Sequence, residues 1–198
     1  LLSLVGELIA CTLAGYGFAR LKFFGRDAIF ILVLGTMMLP YQVTIIPLFI
    51  LFRNFGWLNT HLPLIVPSYF GSPFYIFIMR QFFLNIPSEL EDAAAIDGCS
   101  NIRTFWNVFL PLAKPAVVSV GLFTFMAKWN DFFNPLIYLN APRKFTLTLG
   151  LASLNNEHGS EWNLLMAGSV MAMLPCLLLF FFFQRYFVEG LASSGIKG

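Results

Sequence analysis

Five long apolar stretches, residues 1–19, 28–52, 62–84, 115–139 and 162–186, constrain this chain more than any other feature. A helix needs about 20 apolar residues to cross about 30 Å of hydrocarbon. Each stretch meets that length and is bounded by charged or turn residues. Inside hydrocarbon every backbone N–H and C=O must find a partner within the chain, which leaves helices or a closed barrel. The alternation of barrel strands is missing from these stretches, so the sequence predicts one all-α membrane domain. Composition agrees, with 58% hydrophobic and 11% charged residues, where a soluble domain carries roughly a quarter charged. Leu1 lies inside an apolar stretch with no Met, charged leader or cleavage-type site around it, so a further N-terminal span is expected before it.

Several function classes find no support. The net charge of +2 and the lack of a basic run argue against nucleic acid. Cys11, Cys99 and Cys176 are far apart and form no metal-ligand spacing, so they read as small buried hydrophobes. Gly190, Gly195 and Lys197 only echo a phosphate loop, because no Gly-Lys-Ser/Thr end is present and no strand precedes them. No Ser/His/Asp or Cys/His arrangement supports catalysis, and the sequence calls for no cofactor or metal.

Between the third and fourth stretches lies a polar island, Pro87 to Pro115. Ser88 followed by Glu91 has the spacing of a capping box, and Gly98 supplies a left-handed residue to end the helix. A second helix is expected from Ser100, with Ile102, Phe105, Trp106 and Phe109 at helical spacing until Leu110-Pro111. Glu89, Glu91 and Asp92 suit the first turn of the first helix, where the macrodipole favours acids. Ala93-Ala94-Ala95 gives it a smooth face, while Ile96 and the aromatics of the second arm are expected to pack on the spans. The result is a compact knob suited to docking.

Basic residues orient the chain. With the island inside, the inner segments hold eight (Arg20, Lys22, Arg26, Arg80, Arg103, Lys114, Arg185 and Lys197) and the outer ones three (Arg53, Arg143 and Lys144). That bias satisfies the positive-inside rule. Residues 53–61 and 140–161 are then outside, and the tail 187–198 inside.

Charge also occurs within the span 115–139. Lys128 and Asp131 are three apart and are expected to pair on one helix face, about 20–24 Å from Pro115 at 1.5 Å per residue. Ionisable groups in a span are costly and usually face a cavity. Trp129, Asn130 and Asp131 are therefore read as a polar wall of a solute path, with the Trp129 ring offered to the solute; the bland reading is a self-satisfied interfacial pair. The loop 153–162, SLNNEHGSEW, is rich in hydrogen-bonding groups, and a lone His158 there is a poor metal site.

Asp92-Ala93-Ala94, then Gly98, then Val108 and Leu110-Pro111 at the right intervals, resemble the EAA motif of permease subunits of binding-protein-dependent ABC importers. Asp92 stands at that motif's glutamate and Val108 at its isoleucine. The segments GYGFARLKFFGRD, TMMLPYQVTIIPLF, MRQFFLNIP, WNDFFNPL, LTLGLASL and QRYFVEGLASSGIKG are similar to the maltose-permease-like carbohydrate branch, and the resemblance covers essentially all 198 residues. It implies a type I importer transmembrane domain in a bacterial or archaeal cytoplasmic membrane, with five spans of an expected six. It also implies the partners: a second permease, two ATPase subunits, an extracytoplasmic solute-binding protein and a carbohydrate substrate, all among membrane lipid. Glu91, Asp92, Ala93, Ala94, Asp97 and Gly98 become the ATPase-docking residues. Asn155, Asn156, Glu157 and His158 become contacts for the binding protein. Two other readings stand beside it: an ABC permease for a different solute class, and an ion-coupled secondary transporter using Lys128 and Asp131, with Glu7 as the only other acid inside a span.

Overall fold

The computed structural model describes residues 1–154 and 162–183 with their side chains, and 155–156, 159–160 and 184–195 as backbone. Helix α1 (Leu2–Arg20) contains no proline and ends where Leu21 turns extended. Gly25, at φ 77°, leads into α2 (Arg26–Gly35). A 3₁₀ turn, Thr36–Met38, then precedes α3 (Tyr41–Asn54), and the axes on either side of the break differ by 99°. The expected single span 28–52 is thus two helices. The cause is Pro40, whose ring disfavours helical backbone at the residue before it, and Leu39 is extended at φ −79°, ψ 114°.

Helix α4 (Leu62–Ile65), a 3₁₀ segment (Val66–Phe70) and α5 (Pro73–Leu84) follow, with Pro63, Pro67 and Pro73 each near the start of a segment. There a missing N–H costs little. The island holds α6 (Glu89–Ile96), α7 (Asn101–Thr104), a π-helical turn (Phe105–Phe109) and α8 (Leu110–Leu112). Leu110-Pro111 does not stop the second arm, since a proline at a helix start is tolerated. The chain bends by 76° only at Ala113, into α9 (Lys114–Trp129). The expected span 115–139 therefore ends at Trp129, and α10 (Phe133–Tyr138) is separate. Helix α11 (Leu147–Ser153) and a two-residue antiparallel pairing of Asn155–Asn156 with Gly159–Ser160 precede α12 (Trp162–Gly195), which contains Pro175.

Among the described residues three helical segments, Leu2–Arg20, Leu62–Leu84 and Trp162–Phe183, are long and apolar enough to span, and five if each bent pair counts as one. The core lies where α1, α5, α9 and the π turn meet: Cys11, Tyr16, Met79, Phe83, Phe109 and Val120 are buried there. Gly15 lets α1 approach α5 closely, because a Cβ on it would lie 2.5 Å from Met79 Cβ. Small residues are how packed membrane helices come together. Cys11 is buried as expected, whereas Cys99 and Cys176 are half-buried; all three are free thiols.

The two ends of the bundle differ in chemistry. Away from the island, Asn59 Oδ1 accepts from the N–H groups of Asn140 (3.2 Å) and Ala141 (3.1 Å), and Lys144 Nζ donates to Asn59 O (2.5 Å). The two loops that the basic-residue bias assigns to one side are thus bonded to each other.

Candidate functional site

The island begins as the sequence suggests, but its capping differs. Ser88 is itself helical (φ −68°, ψ −25°) and its side chain caps nothing. Side-chain capping needs an extended Ncap backbone, so the expected box with Glu91 is not made. Ser100 does cap, its Oγ accepting from Arg103 N at 3.4 Å. Gly98 takes φ 77° with no heavy atom within 4 Å of a built Cβ. Cys99 N then donates to Ala94 O at 2.9 Å, which closes the turn between the arms.

What holds the knob is Arg20, at the end of α1. Its guanidinium donates to Phe83 O (3.2 Å from Nε, 2.6 Å from Nη2) and also to Ile86 O, two of the last four carbonyls before the island. Nη1 stands 3.6 Å from the Glu91 carboxylate, and the group lies 4.9 Å from the centroid of the Phe109 ring. The Arg20 side chain is only 9% exposed. A planar guanidinium presents five N–H donors in a fixed fork, against three on the compact ammonium of a lysine. Beside it Tyr16 donates to Asn101 O (3.3 Å) and packs on Phe105 and Phe109 with centroids 5.0 and 5.2 Å away. Sequence reading missed both residues as parts of the knob; the one available signal was a basic residue in the last turn of a span.

The docking residues named from the sequence divide. Asp92, Ala93, Asp97 and Gly98 are exposed on one knob. Ala94 is 6% exposed and sits beneath that surface, not on it. Glu91 is half-buried and engaged with Arg20. Phe105 and Phe109 pack inward as expected, but Ile96, Ile102 and Trp106 do not: they are 87%, 73% and 58% exposed. Helical geometry turns them away from the spans, so the knob presents an apolar face flanked by acids.

The second candidate region is rearranged. Because α9 ends at Trp129, Lys128 and Asp131 share no helix, and no ion pair joins them. Asp131 caps α10 instead, its Oδ1 accepting from Asn134 N (3.2 Å) and its Oδ2 from Asn134 Nδ2 (2.9 Å). Asn130 Nδ2 donates back to Met126 O (2.8 Å) at the end of α9. Trp129 stacks on Phe125 (5.4 Å, 14°) and donates to Ala172 O (2.9 Å), three residues before Pro175. It thus serves a carbonyl in the turn that proline perturbs, and one ring face is already covered. Lys128, Trp129 and Asp131 still line a cavity of about 250 Å³ with His61 and Thr146.

Glu7 is buried, accepting from Ser72 N (2.6 Å) at the start of α5 and from Cys11 Sγ (3.4 Å). With Asp131 and Glu7 both capping helices, they form no carboxylate relay of the kind an ion-coupled transporter needs. The side chains of Asn155, Asn156, Glu157 and His158 lie outside the described residues.

Comparison with known proteins agrees with this architecture. A bacterial ABC transporter involved in the import of the acidic polysaccharide alginate has a chain with a TM-score of 0.82 and 26% identity, covering 94% of this chain and 70% of that one. The MetNI methionine ABC transporter, at a TM-score of 0.58 and 16% identity, shares the fold. The arabinooligosaccharides transport system permease protein AraQ of Bacillus subtilis is 39% identical over 100% of this chain and 70% of its own length. The lactose transport system permease protein LacG of Rhizobium radiobacter is 36% identical over 98% and 71%. Residues 9–193 match the family described as binding-protein-dependent transport system inner membrane component. The chain therefore belongs to that family, the inner-membrane permease subunits of ABC importers.

Proposed function

We propose that this chain is the transmembrane permease subunit of an ATP-driven carbohydrate importer. It pairs with a second permease to enclose the path, with two ATPase subunits on the island side and a solute-binding protein on the other. The carbohydrate class rests on the relatives named for arabinooligosaccharides and lactose. The coupling role rests on one observation: an exposed face of Asp92, Ala93, Asp97 and Gly98 on a knob that Arg20 fastens to α1 and α5.

In this reading ATP binding closes the ATPase pair, and the knob passes that motion to α1 and α5 as one body. Such coupling needs a two-state element that both ends bias. The chain itself performs no covalent chemistry; hydrolysis belongs to the ATPase subunits. The test is reconstitution of the complex in proteoliposomes with its binding protein. ATP-dependent uptake of a labelled oligosaccharide is expected, lost when Asp92 is changed to Lys while the chain stays in the membrane. Uptake of amino acids but of no saccharide overturns the substrate class, and unchanged ATPase retention in Asp92→Lys overturns the docking face.

A further inference from the structure

The turn that joins α1 to α2 has a chemistry that importing a solute does not require. Lys22 and Arg26 line an open cavity of about 470 Å³ with Phe23, Gly25, Asp27 and Ala28. Arg26 Nε lies 3.0 Å from Asp27 Oδ1 and Arg80 Nη2 lies 3.8 Å from the same oxygen. One carboxylate is therefore shared by two guanidinium groups. Lys22 has no hydrogen-bond or ion-pair partner among the described residues. Lys22, Arg26 and Arg80 set against Asp27 leave a local excess of two positive charges.

The apolar side of the turn is equally exposed. Phe23 rests on Phe18 with centroids 6.0 Å apart and is 44% exposed, while Phe24 is 102% exposed. The turn follows Arg20 directly, so it lies level with the knob, at the end of the spans that the basic-residue bias assigns to the cytoplasmic side. Basic residues at that level attract the anionic headgroups of the cytoplasmic leaflet, and a juxtaposed aromatic ring favours the zone just beneath them.

We propose that residues 22–26, with Arg80 behind them, form a binding site for an anionic phospholipid of the cytoplasmic leaflet. The phosphate lies against Lys22 and Arg26 in the cavity, and Phe24 enters the acyl region. A free phosphate fits the charge but leaves Phe24 in water, which is why the lipid is the occupant. The site would tie the α1 end that carries Arg20 to the membrane. The proposal rests on the membrane placement of the family and is independent of which solute is carried.

The test uses the assembled importer, with its second permease and ATPase subunits, in nanodiscs of phosphatidylglycerol and phosphatidylcholine. Lipid retained after mild detergent extraction is measured by native mass spectrometry. Lys22→Gln is expected to weaken phosphatidylglycerol retention about fivefold, the effect of one basic residue at an anionic leaflet. Phe24→Ser should weaken it as well. Phosphatidylcholine retention, and the behaviour of Arg143→Gln at the opposite end, should not change. Lys22→Arg keeps the charge and should bind as the parent does, which separates charge loss from misfolding. Equal phosphatidylglycerol retention in Lys22→Gln and the parent overturns the proposal. So does displacement by millimolar inorganic phosphate, which marks a soluble-anion site, or cross-linking of residue 22 into an ATPase subunit, which marks a subunit interface.

Discussion

Two regions place polar groups in an otherwise apolar chain, and their charged side chains reach over different ranges. At the island end Arg20 reaches Phe83 O, 63 residues away, and Glu91 in α6. In the segment 129–134, Asn130 bonds to Met126 and Asp131 to Asn134, four and three residues away. The first arrangement joins helices to one another. The Asn130 and Asp131 side chains mainly shape one connection, which Trp129 ties to α12 through Ala172 O and Asn134 ties to α3 through Tyr41. Charge in a membrane span marks function most strongly when its partners lie on other elements, because only then does a change at one group shift the position of another.

The sharpest way to break this comparison is Arg20→Ala. It leaves two carbonyls and the Glu91 carboxylate without their donor in a nearly closed site, a loss of about 3 kcal/mol. Thermal unfolding in detergent should show that loss, and ATP-driven uptake should fall further than stability does, since the knob is no longer fastened to α1. Arg20→Lys should recover only part of both, because a compact ammonium lacks the planar fork that spreads donors over two carbonyls and a carboxylate. Wild-type uptake in Arg20→Ala makes the clamp incidental.

Gly98→Val ranks next. A left-handed backbone costs a β-branched residue about 1–2 kcal/mol, and with no atom near the site the whole effect is conformational. Membrane insertion should persist while uptake and ATPase retention decline. Gly98→Asn, which tolerates that conformation better, should restore most of both. If Val and Asn behave alike, the turn geometry is not what docking depends on.

How far the sequence revealed these regions depends on the range of the interactions. The start of α6 near Ser88 and the turn at Gly98 were legible because a proline, a run of acids and a glycine are local signals. The capping box was not, since its pattern does not reveal that Ser88 itself takes a helical backbone. Arg20 itself carries no spacing that points to residues 83, 86 or 91. At Pro40 a bend in the span 28–52 was legible from the proline itself; its size, 99°, was not. At Lys128 and Asp131 the error was one of period, because an i, i+3 pairing presumes a helix that in fact ends between them.

Asp131→Ala should have a smaller effect than the island changes, about 1 kcal/mol, the usual loss of a helix cap. The change should reach no further than Asn134 and the Tyr41 hydroxyl that donates to it, so near-wild-type ATPase retention is expected. Measured loss of retention makes the segment a coupling element and erases the contrast with the island.

The smallest expected effect is the most discriminating. Lys128 and Asp131 form no ion pair, so Lys128→Met should alter stability by no more than about 0.5 kcal/mol, as at an ordinary exposed site. In a double-mutant cycle with Asp131→Ala the coupling energy should lie near zero. Both residues nevertheless line the cavity with Trp129 and His61. With stability unchanged, uptake kinetics of Lys128→Met then report on the solute path without interference from a broken ion pair. A raised KM for the saccharide places the cavity on the path. An unchanged KM and maximal rate leave it a packing defect beside α9, with Trp129 retained for its bond to Ala172.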